Sequence, residues 1–228
     1  MSMRIWLAVT LMILCPLPAI SGSIEDLSQR DAAAGLRQAL TQGAAAAVSR
    51  LGVTDGFLGN PRVRIPLPEG MRQAEGLMRA LGMGRQAEEL AVAMNRAAED
   101  GAARAKPILV AAVQKMTLSD ARQILTGGDD AATQYFRRAT SAQLTEQFLP
   151  IVAKATEKVG LAAKYNELAG RAAKLGLLKE KDANIERYVT ARALDGLFLI
   201  IAEEERAIRS NPLAAAGSLA KKVFGLLR

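Results

Sequence analysis

Residues 85–116 read RQAEELAVAMNRAAEDGAARAKPILVAAVQKM, and this stretch decides the fold. Leu90, Met94, Ala98, Gly101, Ala105, Ile108/Leu109, Ala112 and Met116 recur at steps of three and four, the period of one face of an α-helix. A strand would need alternation at a period of two, which this stretch lacks. The spacing predicts a long amphipathic helix. Pro107 should kink it, because proline has no amide hydrogen and its ring crowds the preceding turn. Most of the face is small, so a neighbouring helix can approach closely.

The same pattern extends in both directions. Residues 24–52 predict a helix, with Leu36, Leu40, Ala44, Ala47 and Leu51 at helical spacing and Gly52 closing it. Asp55-Gly56 and Gly59-Asn60-Pro61 are turn signals. The run V-R-I-P-L-P at 63–68 predicts an extended or polyproline strip, with Ile65 and Leu67 laid over the helices. A helix from Pro68-Glu69 carries Met71, Leu77, Met78 and Leu81 and is interrupted at Gly82 and Gly84. Thr117 to Asp120 caps a short helix that stops at Gly127-Gly128. Asp129-Asp130 opens the next, through Ala132, Phe136, Leu144, Phe148 and Ile151, with a break at Pro150. Residues 160–177 predict another helix. Asp182 caps one carrying Tyr188, Leu194, Leu197, Phe198, Ile201 and Ile208, and Pro212 starts a last one with Leu213, Leu219, Val223, Phe224 and Leu227. The expectation is a single all-α domain over residues 22–228: a bundle of about six to eight helices with one short extended Pro-rich segment.

Composition agrees. The chain has 228 residues, 50% hydrophobic and 23% charged, which is globular and long enough for a sizeable core. Alanine accounts for 43 residues and aromatics for only 4%, which all but excludes an all-β fold. There is no histidine, so no imidazole can act as base, nucleophile or metal ligand.

The first residues predict a signal peptide over 1–21: Arg4, the apolar run Ile5 to Leu14, Pro16 and Pro18, then Ala19-Ile20-Ser21 with small residues at the cut site. The run is half the ~20 residues a spanning helix needs. A retained membrane anchor is the alternative. Cys15 is not a clear lipid acceptor, because Leu14 stands where a lipoprotein has a small residue. Cleavage discards Cys15, leaving no thiol for a disulfide, a metal or nucleophilic catalysis. The expected product is soluble, not membrane-spanning, and periplasmic or secreted. Its net charge falls from +7 to +6 with the loss of Arg4. The positive residues are dispersed and aromatics few, which argues against nucleic acid as a partner. Arg62, Arg64, Lys221, Lys222 and Arg228 suit anionic lipid or polymer, or simply a solvated surface.

Local chemistry is sparse. No nucleophile elbow and no phosphate loop occur. Gly127-Gly128-Asp129-Asp130 reads as a helix stop and start, with a metal loop as the alternative. Asn95 and Glu99 share a helix face beside the apolar stripe. Glu205 lies on the apolar stripe of its helix, with Arg209 one turn on, so it is either half of a structural ion pair or a site acid. Were Glu99, Asp129 and Glu205 to converge, a carboxylate enzyme or metal site would follow. No cofactor is signalled. The bend at Pro107, rimmed by Arg96, Lys106 and Lys115, suggests either an apolar groove for an acyl chain with an anionic head or a filled core.

Several short runs occur in an order that carries a resemblance: Asp55-Gly56-Phe57, Ile65-Pro66-Leu67-Pro68, Asn95-Arg96-Ala97-Ala98-Glu99, Ile124 to Asp129, Ala131-Ala132-Thr133 with Tyr135-Phe136, Tyr188-Val189-Thr190, Asp195-Gly196-Leu197-Phe198 and Asn211-Pro212. The chain resembles the bacterial domain of unknown function numbered 4197 over about residues 30–226. The resemblance implies an exported or envelope-associated helical protein with no assigned reaction. It marks Asn95, Arg96, Glu99, Asp129, Thr133, Tyr135, Asp195, Glu205 and Arg209, more polar positions than helix packing needs. They are either a site or buried polar networks. The reading that follows is a non-enzymatic binding or structural module, with anionic lipid, an apolar ligand or an envelope protein as partner.

Overall fold

The computed structural model describes residues 22–174, 176, 182 and 184–211. The signal peptide at 1–21, Cys15, and the helix expected after Pro212 with Lys221, Lys222 and Arg228 lie outside the described residues. Among these residues are nine helices and no strand: α1 (Gly22–Leu51), α2 (Glu69–Gln73), α3 (Glu75–Ala80), α4 (Gly84–Arg104), α5 (Lys106–Lys115), α6 (Leu118–Thr126), α7 (Ala131–Thr156), α8 (Gly160–Lys174) and α9 (Ile185–Ser210). The fold is an all-α bundle.

Two expected helices are each divided, which raises the count. The helix after Pro68 splits into α2 and α3 at Ala74. The long helix of 85–116 splits at Ala105 rather than merely kinking. Pro107 becomes the second residue of α5, where a missing N–H costs nothing because the first-turn donors have no intrahelical partner. Pro150 does the reverse. Expected to break its helix, it lies inside α7 on an exposed face, where water can reach the carbonyl it leaves unpaired. Thr117 and Asp120 form a reciprocal capping box at α6. The Thr117 hydroxyl and backbone N–H hold the Asp120 carboxyl below its usual range. At α9 the cap is Asn184, which accepts from the Arg187 N–H at 2.8 Å, rather than Asp182. Asn184 is the residue directly before the first helical turn, where a capping side chain must sit.

Helices α7 and α9 form the central pair. α4 packs against both, α1 lies against α9 and α5, and α8 closes onto α4 and α9. Phe57, Phe136, Phe148 and Phe198 are fully buried between them. The small-residue stripe of α4 lets this happen: a Cβ on Gly101 would lie 2.5–2.9 Å from ring carbons of Phe148. Gly196 of α9 does the same for Phe57, whose ring would lie 2.8 Å from a Cβ there. Residues 52–68 wrap across the outside of this core, with Val63 and Ile65 buried.

Gly101→Ala should therefore lower stability by about 1–3 kcal/mol through overpacking, although alanine is the better helix former by ~1 kcal/mol. Urea unfolding of the two chains measures it. Equal or greater stability would contradict the seating of Phe148 on Gly101.

Candidate functional site

The polar residues marked by the sequence are best understood from the backbone they touch. Residues 55–68 are not helical; turns pair the amides of Gly56, Gly59, Asn60, Val63 and Arg64 locally, but those of Phe57, Leu58 and Ile65 find their partners on α4. Asn95, fully buried on α4, supplies them at the middle of the strip. Its Oδ1 accepts from the Ile65 N–H at 2.8 Å, and its Nδ2 donates to the Ile65 carbonyl at 2.9 Å and to the Ala91 carbonyl at 2.8 Å. Asn95 thus serves Ile65 as a neighbouring strand would. One turn on, Glu99 is 5% exposed. Its Oε1 accepts from the Phe57 and Leu58 N–H groups at 3.1 and 3.0 Å. Its Oε2 takes Arg96 at 2.7 Å, and Arg96 reaches on to Asp55 at 2.9 Å. The bonds to Glu99, and then to Asp55, push the Arg96 guanidinium further up. Asp55 itself holds a left-handed φ of 66° at the turn. The strip's far end is tied by the Tyr188 hydroxyl, which donates to the Pro66 carbonyl at 3.1 Å.

Glu205 of α9 repeats this device on another segment of backbone. It accepts from the Ala132 and Thr133 N–H groups at 2.9 and 2.8 Å and from the Thr133 hydroxyl at 2.8 Å. Arg209 donates to it at 2.9 Å and to the Ile124 carbonyl at 2.9 Å. A carboxylate of α9 thereby caps α7 and, through Arg209, holds the end of α6. This corrects the expectation for Asp129. Asp129 is exposed in the loop, Asp130 occupies the N-cap position with no side-chain cap bond, and the free N–H groups of α7 are already taken by Glu205. Tyr135 donates to the Ala112 carbonyl at 2.7 Å, and burial pushes its pKa up. Asp195 is exposed and pairs with Arg137 at 3.2 Å.

The structure thus brings Asn95, Arg96 and Glu99 together, and separately Thr133, Glu205 and Arg209. It does not gather Glu99, Asp129 and Glu205, which face different segments. Among the described residues no group of three or more His, Cys, Asp or Glu could hold a metal ion. The stripe at the Pro107 bend is filled core: Met94, Ala98, Ala102, Ala105 and Leu109 are fully buried. Arg96, expected on a groove rim there, is turned to Glu99 and Asp55 instead.

What the strip builds is a cleft that the sequence did not announce. It measures about 770 Å³ and lies between residues 62–72 on one side and Tyr165, Asp182 and α9 on the other. Pro66, Leu67, Tyr188 and Leu199 give it apolar walls, and four arginines, Arg62, Arg64, Arg72 and Arg192, line it beside the carboxylates of Glu69, Asp182 and Asp195. Arg62 is paired with Glu203 at 2.7 Å, and Arg72 with Glu69. Arg64 and Arg192, both exposed, form no ion pair with any described residue. The Arg192 guanidinium lies 5.4 Å from the centre of the Tyr188 ring. The Tyr165 hydroxyl donates to the Asp182 carbonyl at 2.9 Å, and burial pushes its pKa up to about 12. Arg62 and Arg64 stood out in sequence as cations; nothing on the exposed side of α9 pointed to Arg192.

A protein-family model described as "Protein of unknown function (DUF4197)" matches residues 26–225. No curated protein and no solved structure matches the chain.

Asn95→Ala should cost about 3 kcal/mol, since it orphans a buried N–H and a buried carbonyl of Ile65. Glu205→Ala should cost roughly 3–5 kcal/mol by leaving Arg209 and two amides without their partner. Chemical denaturation measures both, and a loss below about 0.5 kcal/mol in either would remove that residue from its assigned role. Tyr165 gives a pH dependence of fixed sign. Its folded pKa is raised, so its contribution to stability is complete below the ordinary tyrosine range and is lost as pH climbs through about 12. Ultraviolet titration should show a tyrosine ionising near pH 12 that is absent from Tyr165→Phe; loss of only an ordinary transition in that variant would contradict its burial.

Proposed function

The chain belongs to the DUF4197 family of proteins of unknown function, and from that premise we propose that it is an exported bacterial envelope protein that binds rather than catalyses. Its ligand is anionic with an apolar part, and the site is the cleft between residues 62–72 and α9. One observation carries this reading: Arg64 and Arg192 line a cleft of about 770 Å³ with apolar walls and have no carboxylate partner there. That volume falls in the range of small-ligand sites. An anionic group gains from the two guanidinium groups, whose effect is stronger beside low-dielectric walls than in open water. An apolar part gains from burial against the strip, whose Pro66 and Leu67 wall the cleft.

The competing reading, a carboxylate enzyme using Glu99, Asp129 and Glu205, is less well supported. Glu99 and Glu205 already accept from backbone amides and an arginine, and a carboxylate so engaged is poorly placed to take or give a proton. Export rests on residues 1–21, whose basic start, apolar run and small-residue cut site carry it. Among the described residues no helix is long and apolar enough to cross a membrane.

Two measurements test the proposal. Calorimetry with dodecanoate should show binding that weakens at least tenfold in the Arg64→Glu, Arg192→Glu double variant, while uncharged dodecyl maltoside binds far less. No binding of dodecanoate, or binding unchanged by the double variant, would overturn the site. Mass spectrometry of the chain from its native host should find an N-terminus near Gly22 outside the cytoplasm. An intact Met1, or a lipid on Cys15, would overturn the route of export.

A further inference from the structure

The strip has a second face. Behind it lies a smaller, partly open cavity of about 440 Å³, lined by residues 61–67, α3 and the start of α4. Its origin is in the sequence of α4, where Gly84, Ala87 and Ala91 stand at steps of three and four. A helix face that is nearly bare at these positions leaves a gap under α3. Met78 reaches into the junction and is 6% exposed, as is Ala87. Ile65, Leu67, Met78, Ala87 and Ala91 make the lining mainly apolar.

Charge at this cavity is largely internal. Arg79 is paired with Glu75 at 2.6 Å, Arg72 is paired with Glu69, and Glu88 is exposed at the margin. Arg64 is the cation there without an ion pair among the described residues, and it lines both this cavity and the larger cleft. Ile65, Pro66 and Leu67 also belong to both, so the strip is a shared partition with Arg64 on it.

We propose that the ligand is a single-chain anionic amphiphile whose acyl chain lies in the smaller cavity, with its head held by Arg64 at the partition. The inference rests on the reading of the larger cleft as an anion site and adds where the apolar part goes. The chain gains by leaving water for a lining of Ile65, Leu67, Met78 and two alanines, and its carbon atoms ask for no hydrogen bonds there. The head stays at the Arg64 end because Glu88 repels it from the opposite margin. A carboxylate and a phosphate headgroup share this chemistry, so fatty acids and lysophospholipids are both candidates.

The test is a chain-length series from octanoate to hexadecanoate, run by calorimetry beside lysophosphatidylglycerols of matching chains. In the native chain affinity should rise about fourfold per methylene until the cavity is filled, then level off. Ala91→Trp, which fills the cavity from its half-buried margin, should flatten that rise and weaken hexadecanoate far more than octanoate. Met78→Ala enlarges the cavity and should move the levelling-off to longer chains; this second variant keeps the test decisive should the tryptophan disturb folding. A response of one ligand series alone identifies carboxylate or phosphate as the head. A length dependence identical in the native chain and both variants would overturn the placement of the chain. If the Arg64→Glu, Arg192→Glu variant still loses affinity in that case, the anion site stands and only the acyl cavity falls.

Discussion

Everything distinctive in this molecule depends on how a non-helical strip satisfies its backbone against a wall of helices. A bundle of helices closes its own hydrogen bonds, but residues 55–68 close only part of theirs through turns, and the amides of Phe57, Leu58 and Ile65 are left over. These would be buried without partners, at a cost of roughly 1–3 kcal/mol for each. Asn95 and Glu99 meet that demand from one face of α4, with Tyr188 of α9 at the far end. The strip is thereby held open as a partition rather than collapsed into the core, and both cavities exist because of it. Glu205 applies the same chemistry to the N–H groups of α7.

This explains why polar residues at apolar-stripe positions are a poor guide to catalysis here. All three tyrosines of the chain donate to backbone carbonyls: Ala112, Asp182 and Pro66. Asn95, Glu99 and Glu205 likewise serve the backbone. A side chain committed to several fixed donors and acceptors is positioned well but has little chemistry left over. The open groups are instead Arg64 and Arg192 at the cleft, which form no ion pair with a described residue.

Much of the fold was legible because helices are local. The three-and-four spacing, the Thr117 capping box and the Pro-rich interruption each involve residues within a turn or two of each other. The site was less so, because its contacts are not local. That Glu205 sits on an apolar stripe and needs a partner could be read directly. That the partner is the first turn of α7, 72 residues away, could not. The Asp129 expectation failed for that reason: a local capping signal was present, but a distant carboxylate had taken the position. The break at Ala105 illustrates the opposite error. Proline in a helical pattern was read as a bend, whereas its place in the first turn of a new helix avoids the penalty altogether. The cleft escaped notice because it arises only where residues 62–72 come to lie beside α9, and no single segment encodes that meeting.

The central claim is that Asn95 and Glu99 are backbone latches for the strip. Amide hydrogen exchange at Phe57, Leu58 and Ile65, read residue by residue by nuclear magnetic resonance, tests it most directly. The account predicts that these three amides, although outside any helix, exchange nearly as slowly as the core of α4, and that Glu99→Ala, which removes the acceptor, exposes the first two while leaving Ile65 protected. Exchange of all three at the rate of an open surface loop in the native chain would contradict it.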